Sequence, residues 1–92
     1  MRPLQQAIPS VLADVLRDAP LSPGKVAFAW RAAAGPAVDR STAVRLEDTV
    51  LVVEPSSAEW ARELLRSRDL LLARLQRLLG GAVTAIVVRT HA

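Results

Sequence analysis

Residues 49–64 decide the fold, and they read TVLVVEPSSAEWAREL. Within this stretch, residues 50–53 form an unbroken apolar run, which is typical of a strand buried on both faces. Pro55 ends the strand. The next four residues, Ser56-Ser57-Ala58-Glu59, match a capping box, in which the Ser56 hydroxyl accepts a hydrogen bond from the Glu59 amide. A buried strand that leads directly into a helix predicts a mixed α/β fold.

Another strand is predicted just before this stretch. In residues 41–46, Val44 and Leu46 alternate with Arg45, so one face of the strand can be solvated. The polar triplet Glu47-Asp48-Thr49 separates the two runs and indicates a hairpin. We expect the fully apolar run at 50–53 to be the central strand of the sheet.

A long helix is predicted over residues 57–79, with Gly80-Gly81 as its stop and a third strand over residues 82–88. Apolar side chains fall on one broad stripe of this helix, which we interpret as the face toward the sheet. The stripe consists of Trp60, Ala61, Leu64, Leu71, Leu72, Leu75, Leu78 and Leu79.

Two helices are predicted on the N-terminal side of the hairpin. The first spans residues 8–17, with Pro9 in its first turn, and no element is predicted for residues 1–7, for which flexibility is one alternative. The second helix begins with Ser22 as N-cap and ends at Gly35-Pro36. The resulting fold class is α+β in the order α-α-β-β-α-β, with helices on one face of a three-stranded sheet, and residues 1–92 are expected to form one domain.

The composition excludes several kinds of chemistry. The 92 residues contain no cysteine, so disulfides and thiolate metal sites are absent, and the one histidine, His91, has no companions for a metal site or catalytic triad. No glycine-rich phosphate loop occurs. We therefore expect no catalytic residues, no cofactor and no metal, and a protein that is not an enzyme. No apolar stretch is long enough to cross a membrane, which predicts a cytoplasmic location.

The charged face of the long helix has two interpretations. Arginines gather opposite the apolar stripe at Arg62, Arg66, Arg74 and Arg77, interspersed with Glu59, Glu63 and Asp69. One interpretation is an ordinary solvated face with local ion pairs. The other is a surface for phosphates or an acidic partner, consistent with the net charge of +3. Arg68, which points into the apolar stripe, and Leu70, which points toward the polar face, are further candidates for partner contact.

The sequence from residue 30 to residue 88 resembles the DciA family of bacterial replicative-helicase loaders. The resemblance is carried by Trp30 followed by Gly35, Arg40-Ser41-Thr42, the strand at 49–54, the junction at 56–64, Leu71, Leu75, Leu79-Gly80 and the strand at 83–88. It implies a KH-like fold with Trp30, Gly35, Trp60 and Leu64 as fold-defining residues.

The same resemblance implies a role in initiating chromosome replication. The protein would bind the replicative DNA helicase and assist its loading onto single-stranded DNA without hydrolysing ATP, which also implies association with the nucleoid. An alternative is a general module of KH-like fold that binds single-stranded RNA or DNA through the arginines of the long helix. Both tryptophans occupy positions that look buried, which weakens the case for aromatic stacking on bases.

Overall fold

The computed structural model describes residues 20–90 and confirms the α+β class. The predicted helix at 8–17 and residues 1–7 lie outside the described residues. The elements in chain order are α1 (Pro23–Ala34), α2 (Pro36–Arg40), β1 (Thr42–Glu47), β2 (Val50–Pro55), α3 (Ala58–Leu79), a 3-10 turn (Gly80–Ala82) and β3 (Ala85–Val88).

The sheet has the order β1-β2-β3, so the prediction that residues 50–53 lie in the central strand is confirmed. β1 and β2 are antiparallel, whereas β3 runs parallel to β2. Glu47 pairs with Val50, so the hairpin turn consists of Asp48 and Thr49 alone, one residue shorter than the predicted triplet. Asp48 has a φ of 55°, a left-handed conformation that aspartate tolerates better than most residues.

The start of α1 follows its predicted capping signals. The Ser22 hydroxyl accepts a hydrogen bond from the Lys25 amide at 3.1 Å, and Pro23 occupies the first helical position. Gly35 ends the helix with a φ of 91°, as predicted for the Gly35-Pro36 stop. The short helix that follows was not predicted. Pro36 begins the short helix α2, because a proline in the first turn forfeits no hydrogen bond within the helix.

The cap of α3 lies one residue later than predicted. The Ser57 hydroxyl, rather than that of Ser56, accepts a hydrogen bond from the Trp60 amide at 3.2 Å. The reason lies in the hairpin: Pro55 still belongs to β2, and the Ser56 amide donates to the Ser41 carbonyl at 2.8 Å. Ser56 is therefore the last residue held by the hairpin, and the helix begins at Ala58.

The core lies between one face of the sheet and the two longer helices. It joins Leu51, Val53 and Ile86 of the sheet to Val26, Ala29, Trp30 and Ala33 of α1 and to Leu64, Leu71, Leu75, Leu78 and Leu79 of α3. On the opposite face, Ala43, Arg45 and Val87 are exposed, whereas Val52 of the central strand is only 2% exposed. Among the described helices, α1 and α3 therefore pack on the same face of the sheet, as predicted.

Trp30 is completely buried, in agreement with its predicted position in the core. Its indole Nε1 donates to the Thr42 hydroxyl at 2.9 Å, and that hydroxyl donates to the Val38 carbonyl at 2.8 Å. A buried indole N–H requires such an acceptor. Trp30 thus connects α1, α2 and β1 through one chain of hydrogen bonds.

Trp60 was predicted to be a core residue as well, and this prediction is wrong. Its side chain is only half-buried and lies outside the core cluster that contains Leu64 and Trp30. Trp60 lies in the first turn of α3, ahead of the part of the helix that packs between the sheet and α1. The buried part of the apolar stripe of α3 therefore begins at Ala61, and Trp60 lies just before it.

Replacing the two tryptophans by alanine should have unequal effects on stability. Trp30→Ala should lower the free energy of unfolding by about 3–5 kcal/mol because it leaves a cavity and an unsatisfied hydroxyl network. Trp60→Ala should cost clearly less, because part of its surface already contacts water. Urea unfolding followed by far-UV circular dichroism measures both, and an equal loss in the two variants would contradict this assignment.

Candidate interaction surface

The outward face of α3 brings together most of the predicted surface residues. Arg62, Arg66 and Leu70 follow one another at spacings of four, so they lie on one side of the helix, and Arg77 is exposed further along. Arg66 Nη1 lies 3.4 Å from the Glu63 carboxylate, with both side chains mostly in solvent. Such a pair contributes only a few tenths of a kcal/mol, so it leaves Arg66 available to a partner.

The middle of α3 is largely uncovered, and Ser67 is its one partly buried residue. Residues 65–70, which we call the α3 mid-segment, include no buried residue, although Leu64 before them and Leu71 after them belong to the core. Leu65 and Leu70 are 53% and 55% exposed. A stretch of six residues spans about 9 Å of helix, which is enough for a partner to contact.

Arg68 was predicted to point into the apolar stripe, but it is exposed. Its position on the helix does lie between Leu64 and Leu71. The packed elements do not cover the helix at this level, so the stripe is interrupted there and the guanidinium reaches water. Leu70 is exposed as predicted. Leu65 was not predicted to be a partner-contact residue. Its position beside the apolar stripe, rather than within it, is the sequence signal that could have identified it.

Arg74 was assigned to the solvated face, and this assignment is wrong. Its side chain is half-buried, and its Nη1 donates to the Ala33 carbonyl at 3.1 Å. α1 packs against α3 at this point, and Ala33 is in the last turn of α1, where carbonyls lack partners within the helix. A cation there also interacts favourably with the helix dipole. Arg74 therefore holds two helices together.

On the open face of the sheet, positive charge is neutralised locally. Arg45 pairs with Glu47 through its Nε and with Glu54 through its Nη1, the latter at 2.8 Å. The hydrogen bond from Arg45 and its charge hold the pKa of Glu47 below the ordinary value for glutamate. Compared with Arg45, the exposed arginines of α3 are thus better placed to contact an anionic partner or one of mixed charge.

We expect Arg74→Ala to lower the free energy of unfolding by about 1 kcal/mol, because the Ala33 carbonyl loses a charged donor and α3 loses a contact with α1. Arg62→Ala provides the matched control, since Arg62 is exposed on the same helix and should change stability by less than about 0.5 kcal/mol. Chemical denaturation of both variants tests this. Equal values would mean that the hydrogen bond to Ala33 contributes nothing.

Two negative findings apply to residues 20–90. Their Asp and Glu side chains form no group of three that could hold a metal ion. Within the same residues, no helix has both the length and the apolar character needed to span a bilayer.

Comparison with known proteins identifies the family. The family model described as Dna(CI) antecedent, DciA matches residues 3–88 of the 92. Neither curated proteins nor solved structures gave a match to this chain, so the KH-like label stays a prediction. The family match extends from the predicted first helix to the last strand and takes in α3 with its uncovered mid-segment. The chain belongs to the DciA family.

Proposed function

We propose that this protein is a non-enzymatic replication-initiation factor that binds the replicative DNA helicase and assists its loading onto single-stranded DNA. Membership in the DciA family implies a replication-related role as a helicase loader. The proposal takes residues 1–92 as one domain that works without a cofactor in the cytoplasm, at the nucleoid. The observation that carries it is the exposure of the α3 mid-segment.

The chemistry of the mid-segment suits contact with another protein. Leu65 and Leu70 present apolar surface, and Arg66 and Arg68 are exposed beside them. Arginine is enriched in protein interfaces, and an exposed leucine gains free energy when a partner excludes water from it. A surface with two leucines and two arginines within six residues offers both kinds of contact, whereas a purely solvated helix face would not need the leucines.

Leu70→Ser should weaken binding to the purified replicative helicase about tenfold, because about 1.4 kcal/mol of apolar contact is lost. The fold should be unaffected, since Leu70 is already 55% exposed. Phe28→Ser is the matched control: Phe28 is 51% exposed on α1 and should leave binding unchanged. Isothermal titration measures both affinities. Absence of co-elution of the unmodified protein with the helicase at micromolar concentrations would reject the proposal.

Direct contact with single-stranded DNA or RNA is the second candidate function, and the exposure of Arg62 and Arg66 on one side of α3 favours it. The geometry removes Arg74 from the predicted phosphate contacts, because its guanidinium is bound to the Ala33 carbonyl. The remaining exposed arginines of the predicted set are Arg62, Arg66, Arg68 and Arg77.

If these arginines contact phosphates, replacing Arg62 and Arg66 together by glutamine should reduce the slope of log affinity against log salt by about 1.4 for a single-stranded oligonucleotide. Arg45→Gln is the control, because Arg45 is already held by two glutamates. Fluorescence anisotropy over a salt series gives the slopes. An unchanged slope in the double variant would exclude phosphate contacts by this pair and leave the helicase as the partner of this surface.

A further inference from the structure

A groove lies between the start of α1 and the edge strand β1. It encloses about 370 Å³. Its lining is mainly apolar, with Leu21, Pro23 and Val26 on one wall and Val44 and Leu46 on the other. Leu21, at its rim, is 53% exposed, so apolar surface remains in water there. This volume lies near the lower end of the range of about 300–1,000 Å³ that is typical of ligand-binding clefts.

The wall formed by β1 also offers backbone hydrogen bonds. The Ser56 amide donates to the Ser41 carbonyl, which places the odd-numbered residues of β1 in the hydrogen-bonded pairs with β2. Val44 and Leu46 therefore direct their N–H and C=O groups away from β2, along the free edge of the sheet. Among residues 20–90, no backbone hydrogen bond reaches these outward groups.

Charge marks one end of the groove. The charged residues in its lining are Arg45, which is paired with Glu47 and Glu54, and Asp48 at the end of β1. The Asp48 side chain is exposed and has no ion pair or hydrogen bond within the described residues. The paired glutamates of the open face, Glu47 and Glu54, are occupied by Arg45. A ligand that fills the groove would therefore be favoured by apolar side chains along it and a cationic group at Asp48.

We propose that this groove binds an extended peptide of a partner protein, which adds to β1 as a fourth strand. Strand addition at a free edge satisfies the outward groups of Val44 and Leu46, and alternate side chains of the peptide enter the groove. In antiparallel addition the N-terminal part of the peptide lies beside Asp48. The peptide then carries a lysine or arginine, followed at the second and fourth positions by apolar residues. This inference is independent of the proposed helicase contact.

The test uses a fluorescein-labelled peptide with the sequence Thr-Lys-Thr-Val-Thr-Val-Thr and the full-length protein. We expect binding with a Kd below about 1 mM. On binding, the amides of Val44 and Leu46 should become protected from hydrogen exchange in NMR spectra, whereas that of Arg45 is protected beforehand by β2. A peptide with proline in place of the central valine, whose N–H would donate to β1 opposite Leu46, should bind at least fivefold more weakly.

Three variants of the protein separate groove binding from adsorption. Leu21→Ser should raise the Kd of the peptide about fivefold, and Phe28→Ser, with nearly the same exposure, should not change it. The unmodified protein should bind the lysine peptide about threefold more tightly than a peptide with glutamate in place of the lysine. Asp48→Asn should remove this preference, and asparagine also tolerates the left-handed conformation at this position.

The proposal is overturned if no binding is seen up to millimolar peptide, if the proline peptide binds equally well, or if the protected amides lie outside β1. Equal loss in Leu21→Ser and Phe28→Ser would overturn it too, since the two side chains line different surfaces. None of these measurements contains the helicase, so their outcome is separate from that of the helicase titration.

Discussion

Burial of Trp30 is the constraint on which the rest of the structure depends. The indole fills the space between α1 and the sheet, and its N–H must find an acceptor because water is excluded. Thr42 supplies that acceptor and passes the hydrogen bond to the Val38 carbonyl. One side chain thereby sets the position of α1 relative to α2 and to the first residue of β1, and the hairpin then places β2 and the start of α3.

The length of α3 relative to the core explains the candidate surface. Both ends of the helix are packed, at Ala61 and Leu64 near its start and from Leu71 onward. Between them the helix is exposed, and its leucines and arginines there are not needed for packing. The same helix contains Arg74, which is committed to α1. Neighbouring arginines of one helix therefore have different roles, and only packing distinguishes a structural cation from one available to a partner.

The molecule presents two surfaces of different chemistry. The α3 mid-segment is convex, with side chains that can reach into a partner, whereas the groove beside β1 is concave and adds backbone donors and acceptors. On the face of the sheet away from the helices, the charge of Arg45 is neutralised by its ion pairs with Glu47 and Glu54. A domain of this size can in this way offer two separate surfaces of different chemistry.

The sequence by itself determined the class, the order of α1, α3 and the three strands, and the central position of β2, because apolar periodicity, the Ser22 cap and the Gly35 and Gly80 stops are local signals. It also determined that Leu70 faces solvent. Only the tertiary structure decided the rest. The capping residue shifted from Ser56 to Ser57 because the hairpin retains Ser56. The exposure of Arg68 and the half-buried positions of Trp60 and Arg74 depend on where α1 and the sheet meet α3. Helical periodicity gives the direction of a side chain but not the extent of the element that covers it.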